Sequence, residues 1–276
     1  MFNDITKVLL ITDMDGTFLP DNKIPSATDL DAVTRFQAAG GTFSVATGRA
    51  VQAARQYFKT VRVNSPVILS NGGMVYDQAA DKILHSVFLP GIADAVMREL
   101  LAKFPDTGCE VLTGKEVFVT QFNDIEREHN VICNVIPVEI SPEECETRAP
   151  EKFKILFAAA PETVLAMAEY VKDKPYLDAV DFVISAPVYF EMLPKHISKG
   201  AALEALRGLC GMEDYTICAV GDYFNDIEML RYADVAFCPA NAVDEVKAVC
   251  DVVLPYTNEE NAVAAVVSYI FTQCGK

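Results

Sequence analysis

The chain has 276 residues, of which 51% are hydrophobic and 22% charged, so it is long enough for one large domain or two moderate ones and has the composition of a globular protein. Its formal net charge of −16 argues against a nucleic-acid or anionic-membrane partner, because no long-range field would attract a polyanion. A phosphorylated small molecule would need a metal ion, local basic groups or backbone N–H groups at its site.

No apolar stretch approaches the roughly 20 residues that cross a bilayer. Residues 1–10 lack the basic segment of a signal peptide. The eight cysteines include no Cys-x-x-Cys pair and no nearby histidine at zinc-ligand spacing. We therefore expect reduced thiols in a cytoplasmic protein.

The beginning of the chain alternates short apolar runs with amphipathic segments. Ser26 is suited to cap the first helix, and the Gly40–Gly41 pair is suited to end it. The alternation predicts a right-handed, doubly wound parallel sheet, that is, a Rossmann-like α/β fold. The predicted elements are strands at 7–12, 42–47 and 66–70 and helices at 26–41 and 50–61.

The middle of the chain has a different pattern, in which hairpins mix with two helices. Helices are predicted at 91–104 and 161–173, a hairpin at 110–120, and strands at 153–159, 179–185 and 188–194. The strand–helix rhythm then returns. We therefore expect a core domain formed by residues 1–83 and 190–276, with a mostly antiparallel α+β domain inserted at 84–189.

Polar residues follow the apolar runs of the predicted core. In open parallel sheets, ligands bind beyond the carboxyl ends of the strands, so these residues are expected on one rim. After the first run, Gly16 lets the chain turn and Thr17 is suited to hold that turn by a local hydrogen bond. The polar residues are Asp13, Asp15, Thr47, Gly48, Arg49, Asn71, Asp222, Asn225, Asp226 and Asn241.

Carboxylates crowded on one rim repel each other and raise each other's pKa, and a divalent cation removes that repulsion. Oxygen ligands that leave room for waters and a phosphate suit Mg²⁺. A metal beside a hydroxyl, glycine N–H groups and a cation is what phosphoryl transfer requires. Of the two leading carboxylates, one can attack phosphorus and the other can transfer a proton.

Four segments stand in register along the chain: DMDGT (13–17), ATGR (46–49), SKGAALEAL (198–206) and GDYFNDIEML (221–230). They resemble the motifs of the haloacid dehalogenase (HAD) superfamily, specifically the Cof-like sugar-phosphatase subgroup. The insert lies where that subgroup carries a large α/β cap. The resemblance implies that Asp13 is the nucleophile, Asp15 the general acid and base, and Lys199 the group that neutralises developing charge.

The resemblance also implies a set of binding residues. Mg²⁺ would be held by Asp13, Asp222 and the backbone carbonyl of Asp15, with Asp226 near the metal, acting through water or by orienting Lys199. Thr47, Gly48 and Asn225 would contact the phosphoryl group. Three candidates have alternative interpretations. Arg49 fits a substrate contact or a surface ion pair, and Asn71 fits a substrate contact or a left-handed turn. Lys199 also fits a solvated lysine at a helix start.

Three features stand outside these motifs. FCPANA (237–242) and Ala262 depart from the glycine-containing stretches usual at those places in the family. QFNDIE (121–126) echoes YFNDIE (223–228), lacks the preceding Gly-Asp, and is interpreted as a chance similarity. His129 and His196 have no partner at metal or triad spacing.

The expected function is that of a Mg²⁺-dependent phosphatase for a small phosphorylated metabolite, a sugar phosphate by resemblance, acting through an aspartyl phosphate. A cap limits access and so favours small substrates. A phosphomutase on the same core and a non-catalytic phosphometabolite-binding regulator are the alternatives. A monomer or weak homodimer is expected, without a nucleic-acid or membrane partner.

Overall fold

The computed structural model describes residues 4–275. Fourteen strands lie in this range: β1 (Val8–Thr12), β2 (Thr42–Val45), β3 (Val67–Leu69), β4 (Met74–Asp77), β5 (Lys82–Ser86), β6 (Gly108–Thr113), β7 (Val117–Gln121), β8 (Val138–Glu139), β9 (Lys152–Ala158), β10 (Val180–Ala186), β11 (Tyr189–Pro194), β12 (Thr216–Val220), β13 (Val235–Cys238) and β14 (Val252–Val253). The α-helices are α1 (Ala27–Ala38), α2 (Val51–Arg55), α3 (Ile92–Lys103), α4 (Asp124–Cys133), α5 (Cys145–Arg148), α6 (Pro161–Val171), α7 (Lys199–Leu209), α8 (Ile227–Tyr232), α9 (Asp244–Lys247) and α10 (Ala262–Gln273).

The described chain divides into two compact units. The first unit comprises residues 4–48, 57–85 and 198–275, and the second comprises 49–56 and 86–197. The domain limits at residues 84 and 189 stay a prediction. The predicted border between residues 189 and 190 falls within β11, and β11 pairs with β9 and β10 inside the second unit.

The first unit is built on a parallel sheet of five strands in the order β14-β13-β12-β1-β2. All five residues of β1 are buried, as its apolar run predicts. Helices α7 and α8 pack on the face of the sheet that carries Leu9 and Ile11 of β1. The prediction of a doubly wound α/β fold is confirmed.

Two predicted elements near the sheet are partly wrong. Strand β3 joins an antiparallel three-stranded sheet with β4 and β5, and it contacts the parallel sheet through one bridge between Ile68 and Ala46. The helix predicted at 50–61 is only α2, followed by a 3₁₀ turn at Tyr57–Lys59. The border between the two units falls between residues 56 and 57, which is also where α2 gives way to the 3₁₀ turn.

The end signals of helix α1 act as the sequence predicts. The hydroxyl of Ser26 accepts a hydrogen bond from the N–H of Asp29 at 3.0 Å, which satisfies a donor that has no partner within the helix. Gly40, just past the helix, has a φ of 99°, a value that glycine adopts without steric cost.

The second unit contains a six-stranded sheet in the order β10-β11-β9-β6-β7-β8, antiparallel except for the β7–β8 pair. The predicted hairpin is present as β6 and β7. Helices α3 and α6 share a buried core with one face of this sheet, to which Val111, Ile155 and Phe157 contribute.

Helix α4 is absent from the predicted elements. Its start coincides with the QFNDIE echo, because the side chain of Asn123 accepts a hydrogen bond from the N–H of Glu126 at 2.8 Å and caps the helix. The counterpart of Asn123 in the other copy, Asn225, lies inside the helical turn Phe224–Asp226 and does not cap it, so the two similar segments begin their helices differently.

All eight cysteines lie in the described part of the chain as free thiols. Within residues 4–275, every helix is too short or too polar to span a membrane.

Candidate active site

Strand β1 leads directly into two carboxylates of different exposure. The N–H of Asp13 donates to the carbonyl oxygen of Val220 at 2.8 Å and so extends the pairing with β12 by one residue. Asp13 is 5% exposed, whereas the side chain of Asp15 is 39% exposed. The buried strand therefore fixes one carboxylate in the interior of the first unit and leaves the other in contact with solvent.

The turn after Asp15 is built against Asp222. Gly16 has a φ of 82°, and a Cβ at this position would lie 2.5 Å from Oδ2 of Asp222. The hydroxyl of Thr17 donates to Oδ1 of Asp222 at 2.8 Å. The prediction that Thr17 holds the turn by a local bond is wrong, because its hydroxyl connects the first motif to the fourth.

Lys199 is the first residue of α7, and its side chain is fully buried. Its Nζ lies 2.5 Å from Oδ1 of Asp13 and 2.6 Å from Oδ1 of Asp226. Burial by itself lowers the pKa of Lys199, but the charges of Asp13 and Asp226 outweigh it and the pKa is raised. These two ion pairs exclude the alternative of a solvated lysine at a helix start.

Asp226 is fully buried and uses both of its carboxylate oxygens. One oxygen accepts from Lys199, and the other accepts from the N–H groups of Asp222 and Tyr223 at 3.0 and 3.1 Å. A Cβ on Gly221 would lie 2.5 Å from Cβ of Asp226, so only glycine allows this approach. Asp226 therefore fixes both the lysine and the backbone that carries Asp222.

Three carboxylates come together at this point. Asp13, Asp222 and Asp226 each offer one ligand oxygen, and these oxygens lie within 4.8 Å of one another. Burial, then the charge of Asp226, raises the pKa of Asp222 to about 7, although the hydrogen bond from Thr17 opposes this. Burial likewise raises the pKa of Asp13 well above its usual value, against the charge of Lys199. One lysine does not neutralise three acids, and a hard divalent cation suits this all-oxygen donor set.

The ends of β2 and β3 are joined by hydrogen bonds. The N–H of Asn71 donates to the carbonyl oxygen of Thr47 at 3.1 Å. Asn71 is 3% exposed with a φ of 56°, so it is the left-handed turn residue that the sequence allows. Its Oδ1 accepts from Nδ2 of Asn225 at 3.0 Å. A Cβ on Gly48 would lie 2.9 Å from the same oxygen. Thr47, Gly48, Asn71 and Asn225 are thereby brought together.

The segment FCPANA (237–242) contributes a side chain that contacts the first motif. Nδ2 of Asn241 donates to the carbonyl oxygen of Gly16 at 2.8 Å, and its Oδ1 accepts from the N–H of Asn258 at 2.9 Å. Asn241 therefore links the turn after Asp15 to the 3₁₀ turn Asn258–Glu260.

Asp15 and Arg49 are the two remaining candidate residues. The side chain of Asp15 is not among the three clustered carboxylates; its Oδ1 lies 3.0 Å from Nζ of Lys23. Arg49 belongs to the second unit and is 9% exposed, so it is not a solvated surface residue. Lys23 is not among the sequence-based candidates, because its separation from Asp15 matches no motif spacing. Thr17, in contrast, lies inside the first motif, so its position in the sequence could have indicated a role in the site.

Comparisons with known proteins find phosphatases that match nearly the whole chain. The chain is 24% identical over 269 residues to a 5-amino-6-(5-phospho-D-ribitylamino)uracil phosphatase of Bacillus subtilis, covering 96% of this chain and 97% of that protein. It is 23% identical over 274 residues to a pyridoxal phosphate phosphatase of Escherichia coli, covering 97% and 99%. A solved sugar phosphatase of HAD subclass IIB superposes with a TM-score of 0.82 at 19% identity, covering 95% of this chain and 98% of that one.

The family itself follows from a match along nearly the whole chain. Residues 10–267 fit the sequence profile of the haloacid dehalogenase-like hydrolases. The matched range includes all four motifs and the segment between them. The chain therefore belongs to the haloacid dehalogenase-like hydrolase family and is an enzyme of that family.

Proposed function

We propose that this hydrolase cleaves the phosphoric monoester of a small metabolite, a sugar phosphate or a compound of similar size, in a Mg²⁺-dependent reaction through an aspartyl phosphate. The observation that carries the proposal is the contact of Asp13 with Lys199 beside two further carboxylates, the half-buried Asp222 and the fully buried Asp226. A nucleophile facing a dianionic phosphate needs such compensation of charge.

In the first half of the reaction, a carboxylate oxygen of Asp13 attacks phosphorus, and the bond from phosphorus to the leaving oxygen breaks. Asp15 gives its proton to that oxygen as it leaves. Lys199 keeps its protons and stabilises the negative charge that spreads over the phosphoryl oxygens. Asp226 holds Lys199 in place throughout.

In the second half, water attacks the phosphorus of the aspartyl phosphate. Asp15, now a carboxylate, accepts a proton from that water, and the bond between phosphorus and the oxygen of Asp13 breaks. Inorganic phosphate leaves, and Asp13 and Asp15 return to their starting states. No proton or electron is left over.

Asp13, Asp222 and the backbone carbonyl of Asp15 are the proposed holders of Mg²⁺, and Asp226 adds its charge beside them. When bound, the metal would neutralise the carboxylates and polarise the phosphoryl group. The hydrogen bond from Thr17 and the close approach of Gly16 fix the orientation of Asp222 for this purpose.

The proposed phosphate-binding groups are the hydroxyl of Thr47, the N–H of Gly48, and the side chain of Asn225, which Asn71 orients. Arg49, which follows them in sequence, is proposed to contact the substrate. The net charge of −16 is unfavourable for polyanionic substrates, which supports a small one.

The test begins with p-nitrophenyl phosphate and a panel of hexose phosphates, nucleotides and pyridoxal phosphate. We expect hydrolysis with Mg²⁺ and none after chelation. Asp13→Asn should lower kcat by at least about a thousandfold. Asp29→Asn is the matched control, since Asp29 is also buried in the first unit but contacts Ser26 and Ala264.

Two further measurements distinguish the proposal from its alternatives. Mass spectrometry of acid-quenched enzyme should find phosphate on the peptide that contains Asp13. Isomerisation of a hexose phosphate without release of phosphate would instead identify a mutase. Binding of phosphometabolites without any turnover would identify a regulator.

A further inference from the structure

Asp15 is paired with a residue that belongs to none of the four motifs. Nζ of Lys23 lies 3.0 Å from Oδ1 of Asp15, and the two side chains are 35% and 39% exposed. Lys23 lies in the loop between β1 and α1, so both residues belong to the first unit. Asp15 is the residue proposed to transfer protons. Its partner in this ion pair, Lys23, is a cation that follows it in the chain.

The loop holds Lys23 in a defined and unfavourable conformation. The N–H of Lys23 donates to the carbonyl oxygen of Pro20 at 2.9 Å, and the N–H of Ile24 donates to Oδ1 of Asn22 at 2.8 Å. The N–H of Asp21 donates to Oε1 of Glu259 at 2.6 Å, which ties the loop to the end of the chain. With a φ of 60°, Lys23 is in the left-handed region.

That conformation suits glycine or asparagine far better than lysine. The left-handed backbone disfavours lysine at this position. We therefore expect the lysine side chain to make a contact that glycine could not make. Strain of this kind is found where the surrounding structure and the function both depend on the residue. Within residues 4–275, the ion pair that this side chain forms is the one with Asp15.

We propose that Lys23 is a positioning residue for Asp15: its ammonium group holds Oδ1 and so selects the orientation in which the carboxyl group meets the leaving oxygen. The inference rests on the proposed function, in which Asp15 transfers the proton. Lys23 keeps its own three protons in both halves of the reaction. It contributes orientation and no chemistry.

The size of the effect follows from the exposure of the pair. A half-exposed ion pair biases a side-chain population by about fivefold at most. Lys23→Met should therefore lower kcat by about three- to fivefold and leave KM unchanged. The loss should be larger for an alkyl phosphate than for p-nitrophenyl phosphate, because a poor leaving group depends on the proton from Asp15 whereas nitrophenolate leaves without it.

A double-mutant cycle with Asp15→Asn gives the decisive comparison. If Lys23 acts through Asp15, Lys23→Met should have no further effect in the Asp15→Asn protein. Lys23→Arg, which retains a cation, should recover most of the rate. Lys23→Gly should lose the same rate while its melting temperature stays equal or rises, because glycine relieves the left-handed backbone.

Lys7→Met is the matched control, because Lys7 forms an exposed ion pair of the same length, 3.0 Å, with Asp214. It should leave kcat unchanged. The inference would be overturned if Lys23→Met lowered kcat equally in the wild-type and Asp15→Asn proteins. It would also be overturned if the lower kcat of Lys23→Gly were explained by a lower melting temperature.

The outcome separates this inference from the proposed function. A wild-type protein that hydrolyses no phosphate ester contradicts the function itself. An active wild type with an equally active Lys23→Met protein contradicts only the role of Lys23. Crystal structures of the two proteins provide a readout without turnover, since an unchanged Asp15 side chain in the variant also refutes the inference.

Discussion

Nζ of Lys199 lies 2.5 Å from Oδ1 of Asp13, although the two residues are 186 positions apart in the chain. Both side chains are almost completely buried. A buried lysine is tolerated only with such compensation, and here Asp226 supplies a second carboxylate. This contact connects the nucleophile proposed from the first motif to the cation proposed from the third.

Replacing Lys199 by Met should lower kcat by about 10²- to 10³-fold, because the transferred phosphoryl group loses its fixed cation. It should also destabilise the fold by about 3–5 kcal/mol, because buried carboxylates lose their partner. Lys152→Met is a matched control: Lys152 pairs with Asp94 at 3.0 Å and both side chains are 5% exposed, but both residues lie in the second unit. Similar melting temperatures with activity retained only in Lys152→Met would confirm the assignment.

Replacing Gly16 by Ala should weaken Mg²⁺ binding at least tenfold, because the new Cβ would push against Oδ2 of Asp222. Gly211→Ala controls for backbone strain alone, since Gly211 also has a positive φ but a Cβ there meets no atom within 4 Å. Titration of activity against Mg²⁺ measures the difference. Equal Mg²⁺ requirements in the two variants would refute the steric explanation.

Replacing Thr17 by Val should also weaken Mg²⁺ binding, by roughly tenfold, since the hydrogen bond that orients Asp222 is lost. The loss should raise the pKa of Asp222 further, because that bond lowers it. Thr34→Val, which removes a hydroxyl bonded within α1, should leave the Mg²⁺ requirement unchanged. Excess Mg²⁺ should restore most of the activity of Thr17→Val.

The stability of the second unit should depend on pH through the side chain of Glu126. Burial, then the charge of Glu110, raises the pKa of Glu126 to about 9, and burial raises the pKa of Glu110 to about 7 despite Lys154. The folded protein therefore keeps protons that the unfolded chain has lost, and the free energy of unfolding decreases as pH rises between about 4.5 and 9.

Glu126→Gln removes one of these two titratable groups, and the amide of the new glutamine can still donate a hydrogen bond to Glu110. At pH 9 it should melt about 5 °C above wild type, and the difference should shrink or reverse at pH 5. Glu128→Gln, an exposed change on the same helix, should show no such dependence. A pH-independent difference between Glu126→Gln and wild type would contradict the raised pKa of Glu126 in the folded protein.

Much of the site is predictable because its residues follow buried strands. The apolar run at β1, its two acids and the lysine at the start of α7 are visible in the sequence, since strand burial and motif spacing are local properties. Their grouping follows from the rule that parallel strands end on one edge. The contact of Asp226 with Lys199 matches one of the two roles expected for it.

What the sequence hides depends on contacts between distant segments. The donation from Thr17 to Asp222 spans 205 positions, and nothing local distinguishes it from a turn bond. Lys23 meets Asp15 only because the loop turns through a left-handed residue. Helix α4 is absent from the predicted elements because most of its residues are polar, although Asn123 is a signal of its start.

The position of β1 between β2 and β12 has a consequence for biosynthesis. Residue 12 leaves the ribosome 204 positions before residue 216, where β12 begins, a delay of roughly 10 to 40 s at ordinary elongation rates. During that time one edge of β1, whose five residues are all buried in the folded protein, lacks its native neighbour, whereas the second unit, apart from residues 49–56, is synthesised without interruption. The chain should therefore depend on chaperones or on early folding of its middle segment, and truncation before β12 should leave a product prone to aggregation.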